Sequence, residues 1–176
     1  GANPGDWVYV TGTLGDAGAG LDILQNTLEV KGEARDVLIN RHYFPTPRVA
    51  VGTALRRIAT SCIDISDGLL SDLNHILTAS GCGANIHVDR LPLSRAITSA
   101  VDNDTAIEYA LSAGDDYELI FTVSEEQKGN LETSLASTNV KATCIGQLSG
   151  HSSNLSLFKG EKPYTPKRDK GYEHNF

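Results

Sequence analysis

Short apolar runs of strand composition recur along this chain, each followed by a stretch with helical periodicity, and that alternation restricts the fold more than any other feature. Trp7-Val-Tyr-Val-Thr11 leaves a Pro4-Gly5-Asp6 turn and reads as a strand. Residues 12–20 hold four glycines, and Leu21, Leu24 and Leu28 follow at helical spacing. Residues 35–44 and 49–58 read as helices, the first stopped by Pro45 and Pro47. Ser61-Cys-Ile-Asp-Ile65 reads as a buried strand, and residues 67–76 as a helix that opens from it. A strand is expected at 84–88. Residues 94–112 are expected to be mostly helical, with Asp102-Asn-Asp104 as break and cap. Strands at 118–123, 142–148 and 155–158 and a helix at 125–135 complete the pattern, and the tail from Lys159 reads as a loop. Alternating strands and helices specify the α/β class. The expectation is one α/β domain over residues 1–176.

Composition narrows the function classes. A chain of 176 residues and 18.8 kDa buries about 70% of its unfolded surface, enough for one core without disulfide or metal staples. The net charge of −7, with no basic cluster, disfavours nucleic-acid binding. No apolar run reaches membrane-spanning length and no secretory signal pattern opens the chain, so no membrane partner is expected. Cys62, Cys82 and Cys144 lack CxxC spacing, which points to reduced thiols and a cytoplasmic location. There is no methionine and residue 1 is Gly, so a piece of a longer protein is expected.

Several familiar sites are excluded. Gly15-Asp-Ala-Gly-Ala-Gly20 has the gap of a phosphate-binding loop, but Leu21 stands where the lysine is needed. Gly18 and Gly20 are followed by Ile23 where a dinucleotide fingerprint needs a third glycine. A tight strand-to-helix turn accounts for these glycines. The histidines at 42, 75, 87, 151 and 174 have no ligand-pair spacing and read as surface or core residues.

Three segments carry chemistry. In Asp64-Ile-Ser-Asp67-Gly68 two carboxylates flank a serine where a strand gives way to a helix, the place where α/β sheets put ligands. A helix start also offers N–H groups to an anion. Two nearby carboxylates repel by up to about 4 kcal/mol at an effective dielectric near 20, and a divalent cation between them removes that repulsion. Mg²⁺ suits a few carboxylates plus waters and phosphate oxygens. Asp67 or Ser66 is equally explained as the helix N-cap. Gly114-Asp-Asp-Tyr-Glu-Leu119 sets three acids before an apolar strand, either as a polar loop or as a holder for a cationic or hydroxyl-bearing substrate. The tail Gly171-Tyr-Glu-His-Asn-Phe176 either tucks two aromatics into the core or stacks a flat ring.

Taken together, Gly5-Asp-Trp-Val-Tyr-Val-Thr-Gly-Thr-Leu-Gly-Asp16, Pro47-Arg-Val-Ala50, Asp64-Ile-Ser-Asp-Gly-Leu69, Gly114-Asp-Asp-Tyr-Glu-Leu119 and the Gly-aromatic tail resemble the thiamine-monophosphate kinases, in the same order. These belong to the superfamily of aminoimidazole ribonucleotide synthetase. The resemblance covers essentially the whole chain and implies the α/β C-terminal domain of that type, a mixed β-sheet flanked by helices. It implies transfer of the γ-phosphoryl of ATP to thiamine monophosphate, with Mg²⁺, to give thiamine diphosphate. Carried over by position, Asp64 and Asp67 hold metal, Ser66 contacts ATP, Asp115 contacts substrate and Tyr172 packs on the thiamine moiety, with no residue assigned as catalytic.

Two departures bear on those roles. The family usually has Glu where Asp115 stands, one methylene longer. Its tail usually reads Gly-aromatic-Asp-His-Phe, whereas here Glu173 replaces Asp and Asn175 is inserted, which loosens the register of Tyr172. The resemblance also implies an N-terminal domain that supplies most metal carboxylates, much of the ATP site and a homodimer interface. On that expectation the 176-residue chain folds but does not catalyse alone. Two rivals stay open: another ATP-dependent member of the superfamily with a different acceptor, and a non-catalytic domain that binds a thiamine compound.

Overall fold

The computed structural model describes residues 1–150 and 154–167. Its elements are β1 (Trp7–Thr11), α1 (Asp16–Leu24), α2 (Glu33–Tyr43), α3 (Val49–Ala54), β2 (Ala59–Asp64), α4 (Leu69–Ser80), β3 (Gly83–His87), α5 (Arg95–Ala100), α6 (Asn103–Ser112), β4 (Leu119–Val123), α7 (Lys128–Leu135), β5 (Ala142–Ser149), β6 (Leu155–Lys159) and β7 (Lys162–Pro163). The seven strands form a single sheet in the order β2-β4-β1-β5-β3-β6-β7. The β3–β6 pair is parallel and the other neighbours are antiparallel, so the sheet is mixed as expected. Among the described residues no helix is long and apolar enough to cross a membrane. The three cysteines are free thiols.

Strand alternation divides the sheet between two apolar clusters. Val8 and Val10 of β1 and Ile120 of β4 join Leu69, Leu73 and Leu77 of α4 and Ile107 and Leu111 of α6. Tyr9 of β1 and Phe121 and Val123 of β4 join Val51 and Leu55 around α3 and Leu131 and Leu135 of α7. Period-two burial on both faces explains why these strands are nearly continuous apolar runs. Tyr9 and Phe121 are direct cross-strand partners, and their rings stack at 5.6 Å and 13°. A third cluster joins α1, α2, α5 and α6 through Ala19, Ile23, Leu38, Ile97, Ala106 and Tyr109.

Asp102 caps α6 as its position predicts, accepting from the N–H groups of Asp104 and Thr105 at 3.0 Å each. Several boundaries differ from the sequence reading. α3 stops at Ala54 and α7 begins only at Lys128. Val88 leaves β3 for a 3₁₀ turn over Val88–Arg90. β7 adds a short strand within the expected loop. The larger correction concerns β2, which reads as a buried strand. Among the described residues it lies at the sheet edge and pairs only with β4; Cys62 and Asp64 are exposed while Ile63 packs on the core. Ile63 packs on the cluster beneath α4 and Ala59 on the one beneath α3, while the Thr60 and Ser61 hydroxyls bond Thr122 of β4.

Phe121 has no exposed surface, whereas Phe44 is 70% exposed. Phe121→Ala is expected to cost about 3–5 kcal/mol through lost transfer energy and a cavity. Phe44→Ala is expected to stay within about 0.5 kcal/mol. Urea unfolding of both variants measures the difference.

Candidate functional site

The Asp64–Gly68 and Gly114–Glu118 segments lie side by side. Beyond β2 the chain pairs with the segment that leads into β4 before it bends at Ser66 and Asp67. Ile65 donates to the Glu118 carbonyl at 2.8 Å, Tyr117 donates to the Ile65 carbonyl at 2.9 Å, and Asp115 donates to the Ser66 carbonyl at 2.9 Å. Two glycines permit this approach. A Cβ on Gly114 would lie 2.3 Å from the Ser66 carbonyl oxygen, and one on Gly68 would lie 2.8 Å from that of Ser112. Gly68 also has φ 109°, which disfavours any side chain there. The strand-to-helix turn is thus seated against the helix-to-strand turn. Ser66 and Asp115 are brought into direct backbone contact, with Asp64 and Asp67 on either side of Ser66.

The two turns expose some acids and bury others. Asp64 is exposed, and Ser66 and Asp67 are half-buried. The Asp115 side chain is 47% exposed, with its carboxylate 4.0 Å from Nδ1 of His42 on α2. Asp116 and Glu118 are buried. Residues 115 and 117 face out while 116 and 118 face in, and Asp115 and Tyr117 both take left-handed backbone, at φ 66° and 49°. Such conformations in non-glycine residues concentrate where surrounding structure enforces them. Here the enforcement comes from the buried side chains.

Asp116 accepts from the N–H groups of Gly15 at 2.7 Å and Ala17 at 3.3 Å, and so fills the N-terminal end of α1. This explains the glycine turn that matched no phosphate loop. Glu118 accepts a fork from Arg48, with Nε at 2.7 Å and Nη2 at 2.6 Å. Arg41 Nη2 at 3.1 Å and the Thr11 hydroxyl at 2.6 Å complete its shell. Asp16, also buried, accepts from Ser94 at 2.6 Å and Thr13 at 3.0 Å, with Arg41 Nε at 3.8 Å. The alternative that acids of the Gly114–Leu119 segment hold a ligand therefore narrows to Asp115. Two of them are committed to the interior, and Asp115 alone is open.

Protonation follows from these surroundings. Burial pushes Asp116 up to about 7, against the two N–H donors and with Asp16 adding like charge. Burial also raises Glu118, but hydrogen bonds from Arg48, Thr11 and Arg41 outweigh it and hold the group below its usual value.

The helix cap reading is also corrected. The residue before α4 is Gly68, and no side chain caps that helix, so neither Ser66 nor Asp67 is explained as an N-cap. The N–H groups of Ser66 and Asp67 are taken as well. Asp72, 2% exposed in the first turn of α4, accepts both on its Oδ2 at 3.0 and 3.1 Å. They are therefore not open to an anion. Tyr172 and the rest of the Gly171–Phe176 segment lie outside the described residues.

Sequence reasoning missed Asp16, Arg41, Arg48, Asp72 and His42. Alternate burial carried back from β4 was the signal for Asp116 and Glu118. The arginines, 70 and 77 residues from Glu118, carried no local signal.

Among the described residues no set of three or more His, Cys, Asp or Glu side chains could hold a metal ion. Asp64 and Asp67 supply hard carboxylate oxygens at the open end of β2. That donor set fits Mg²⁺, which takes one or two carboxylates and completes its shell with water and phosphate.

The Asp116 carboxyl binds its proton more tightly folded than unfolded. Its contribution to stability is full below about pH 4 and is lost as pH rises through about 7. The urea midpoint is expected to fall from pH 5 to pH 8 by more in the wild type than in Asp116→Asn, which lacks this titration. Equal changes in the two proteins would contradict the assignment.

Comparison with known proteins gives this arrangement a context. The thiamine-monophosphate kinase of Salmonella typhimurium is 51% identical over 175 residues, covering 99% of this chain and 54% of that protein. The crystal structure of thiamine-monophosphate kinase from Stenotrophomonas maltophilia aligns with a TM-score of 0.80 at 37% identity, over 89% of this chain and 51% of that one. AaThiL complexed with AMPPCP and TMP aligns at 0.79 and 35% identity, over 99% and 53%. The chain thus spans about half the length of the curated relatives it matches. Residues 3–155 match the model of the AIR synthase related protein, C-terminal domain, and the chain belongs to that family.

Proposed function

We propose that this chain is one part of an ATP-dependent thiamine-monophosphate kinase. In the reaction a terminal phosphate oxygen of thiamine monophosphate bonds to the γ-phosphorus of ATP. The bond from that phosphorus to the β–γ bridging oxygen breaks, and ADP and thiamine diphosphate leave. The observation that carries the reading is the contact between the two turns, which sets the acids 64 and 67 beside the open acid 115 in a chain half identical to kinases of that name.

The residues divide the work by position. Asp64 and Asp67 would hold Mg²⁺, which would supply positive charge to offset that of the phosphates. Ser66 donates its hydroxyl to a nucleotide phosphate. Asp115, across the backbone bridge, accepts from a hydrogen-bond donor of the acceptor substrate, and Tyr172 stacks on its ring. Phosphoryl transfer needs little covalent help and depends on position and charge, which matches a site with open acids but no assigned general base. Because Asp115 is a methylene shorter than the family's usual Glu, its contact with substrate is longer or water-bridged.

The same reading carries a cytoplasmic location, no nucleic-acid or membrane partner, and a homodimer for the natural polypeptide. The remaining phosphate and metal ligands come from the part of the relatives that this chain does not cover.

The test is thiamine diphosphate formation by the natural polypeptide that carries this sequence. Asp64→Asn is expected to lower kcat by about 100-fold, on the scale of removing one transition-state electrostatic group. Asp115→Ala and Tyr172→Ala are expected to raise KM for thiamine monophosphate about tenfold, with smaller effects on kcat. Wild-type turnover in Asp64→Asn, or unchanged KM in both other variants, contradicts the assignments. Phosphorylation of a different acceptor in place of thiamine monophosphate removes the function itself.

A further inference from the structure

Asp72 has a geometry that helix capping does not explain. A capping carboxylate bonds N–H groups of its own first turn. Asp72 lies inside α4, and its own N–H donates to the Gly68 carbonyl at 3.0 Å. Its side chain instead turns back out of the helix and reaches Ser66 N and Asp67 N, six and five residues earlier. Both bonds end on Oδ2, and the residue is 2% exposed. Burying an acid beside another acid, Asp67, is costly unless its hydrogen bonds repay it, and both of these bonds go to one short segment.

That segment is fixed from the other side as well. The Ser66 carbonyl accepts from Asp115 N, and the Ile65 carbonyl accepts from Tyr117 N. Ser66 therefore has both backbone polar groups engaged, its carbonyl by the Gly114–Glu118 turn and its N–H by Asp72. Removing the Asp72 acceptor frees two successive N–H groups between the side chains of Asp64 and Asp67, while the carbonyl contacts remain.

We infer that Asp72 is a positioning residue, whose carboxylate sets the peptide planes of Ser66 and Asp67 and thereby the directions in which Asp64 and Asp67 present their oxygens to a divalent cation. This rests on the metal role proposed above for Asp64 and Asp67. It adds a residue that touches neither metal nor substrate. Because one oxygen accepts both bonds, charge is not what the position needs. An Asn whose amide oxygen takes the place of Oδ2 keeps both bonds, whereas Ala keeps neither.

The test uses the natural polypeptide and Mn²⁺ as the probe, followed by electron paramagnetic resonance of the free ion. The relevant signal is the component of Mn²⁺ binding that Asp64→Asn removes. Asp72→Ala is expected to weaken that component at least about tenfold, the usual scale for losing a group that orients a metal ligand. Asp72→Asn is expected to stay within about threefold of wild type. Amide hydrogen exchange at Ser66 and Asp67 is expected to quicken in Asp72→Ala and not in Asp72→Asn. If Asp72→Ala does not fold, Asp72→Ser, too short to reach both N–H groups, takes its place with the same expectation. Retention of the Asp64-dependent component in the Ala or Ser variant overturns the role of Asp72 and leaves the metal site standing. Equal loss in Asp72→Asn and Asp72→Ala overturns positioning in favour of charge. If Asp64→Asn removes no Mn²⁺ component, the metal site falls and this inference falls with it.

Discussion

Glu118 is the group on which the arrangement of this molecule depends. It is fully buried, and its carboxylate is shared by Thr11 of β1, Arg41 of α2 and Arg48 just before α3. One side chain thus ties the central strands to α2 and to the start of α3, which precede it by 70 residues or more. A buried carboxylate stripped of such partners costs about 3–5 kcal/mol, so the cluster works as a unit. Its effect on the site is indirect but decisive. With Glu118 and Asp116 drawn inward, the intervening turn places Tyr117 and Asp115 outward in left-handed conformations.

The outward residues acquire significance from the backbone bridge to the other turn. Three hydrogen bonds between residues 65–66 and 115–118 extend the β2–β4 ladder past the end of the strand. The ladder's edge position matters as well. A strand in the middle of the sheet would cover the Asp64 side of this junction, whereas β2 leaves it open. The fold therefore combines an interior of paired charges with an accessible rim of acids, the division expected where a site must be both fixed in place and open to ligand.

Much of this was legible from residues alone. The alternation of strand and helix gives the class, the Asp102 cap falls where spacing puts it, and the two acidic segments stand out by their residue types alone. The rest was hidden for physical reasons. Whether an acid faces in or out depends on partners such as Gly15, 101 residues away from Asp116. The Asp64–Gly68 segment looked like a capped helix start because Ser and Asp are good caps. The actual boundary is set by Gly68, whose conformation and close contact with Ser112 no cap preference reveals. Apolar content suggests that β2 is buried, but composition does not report how many neighbours a strand has.

The central claim is that these two turns form one site, with nucleotide phosphates at 64–67 and the phosphoryl acceptor at 115. The most direct measurement is a crystal structure of the natural polypeptide with magnesium, a non-hydrolysable ATP analogue and thiamine monophosphate. The account predicts metal on Asp64 and Asp67, a nucleotide phosphate at Ser66 and the acceptor against Asp115. Ligands bound away from both turns, or at one turn with the other left in solvent, would contradict it.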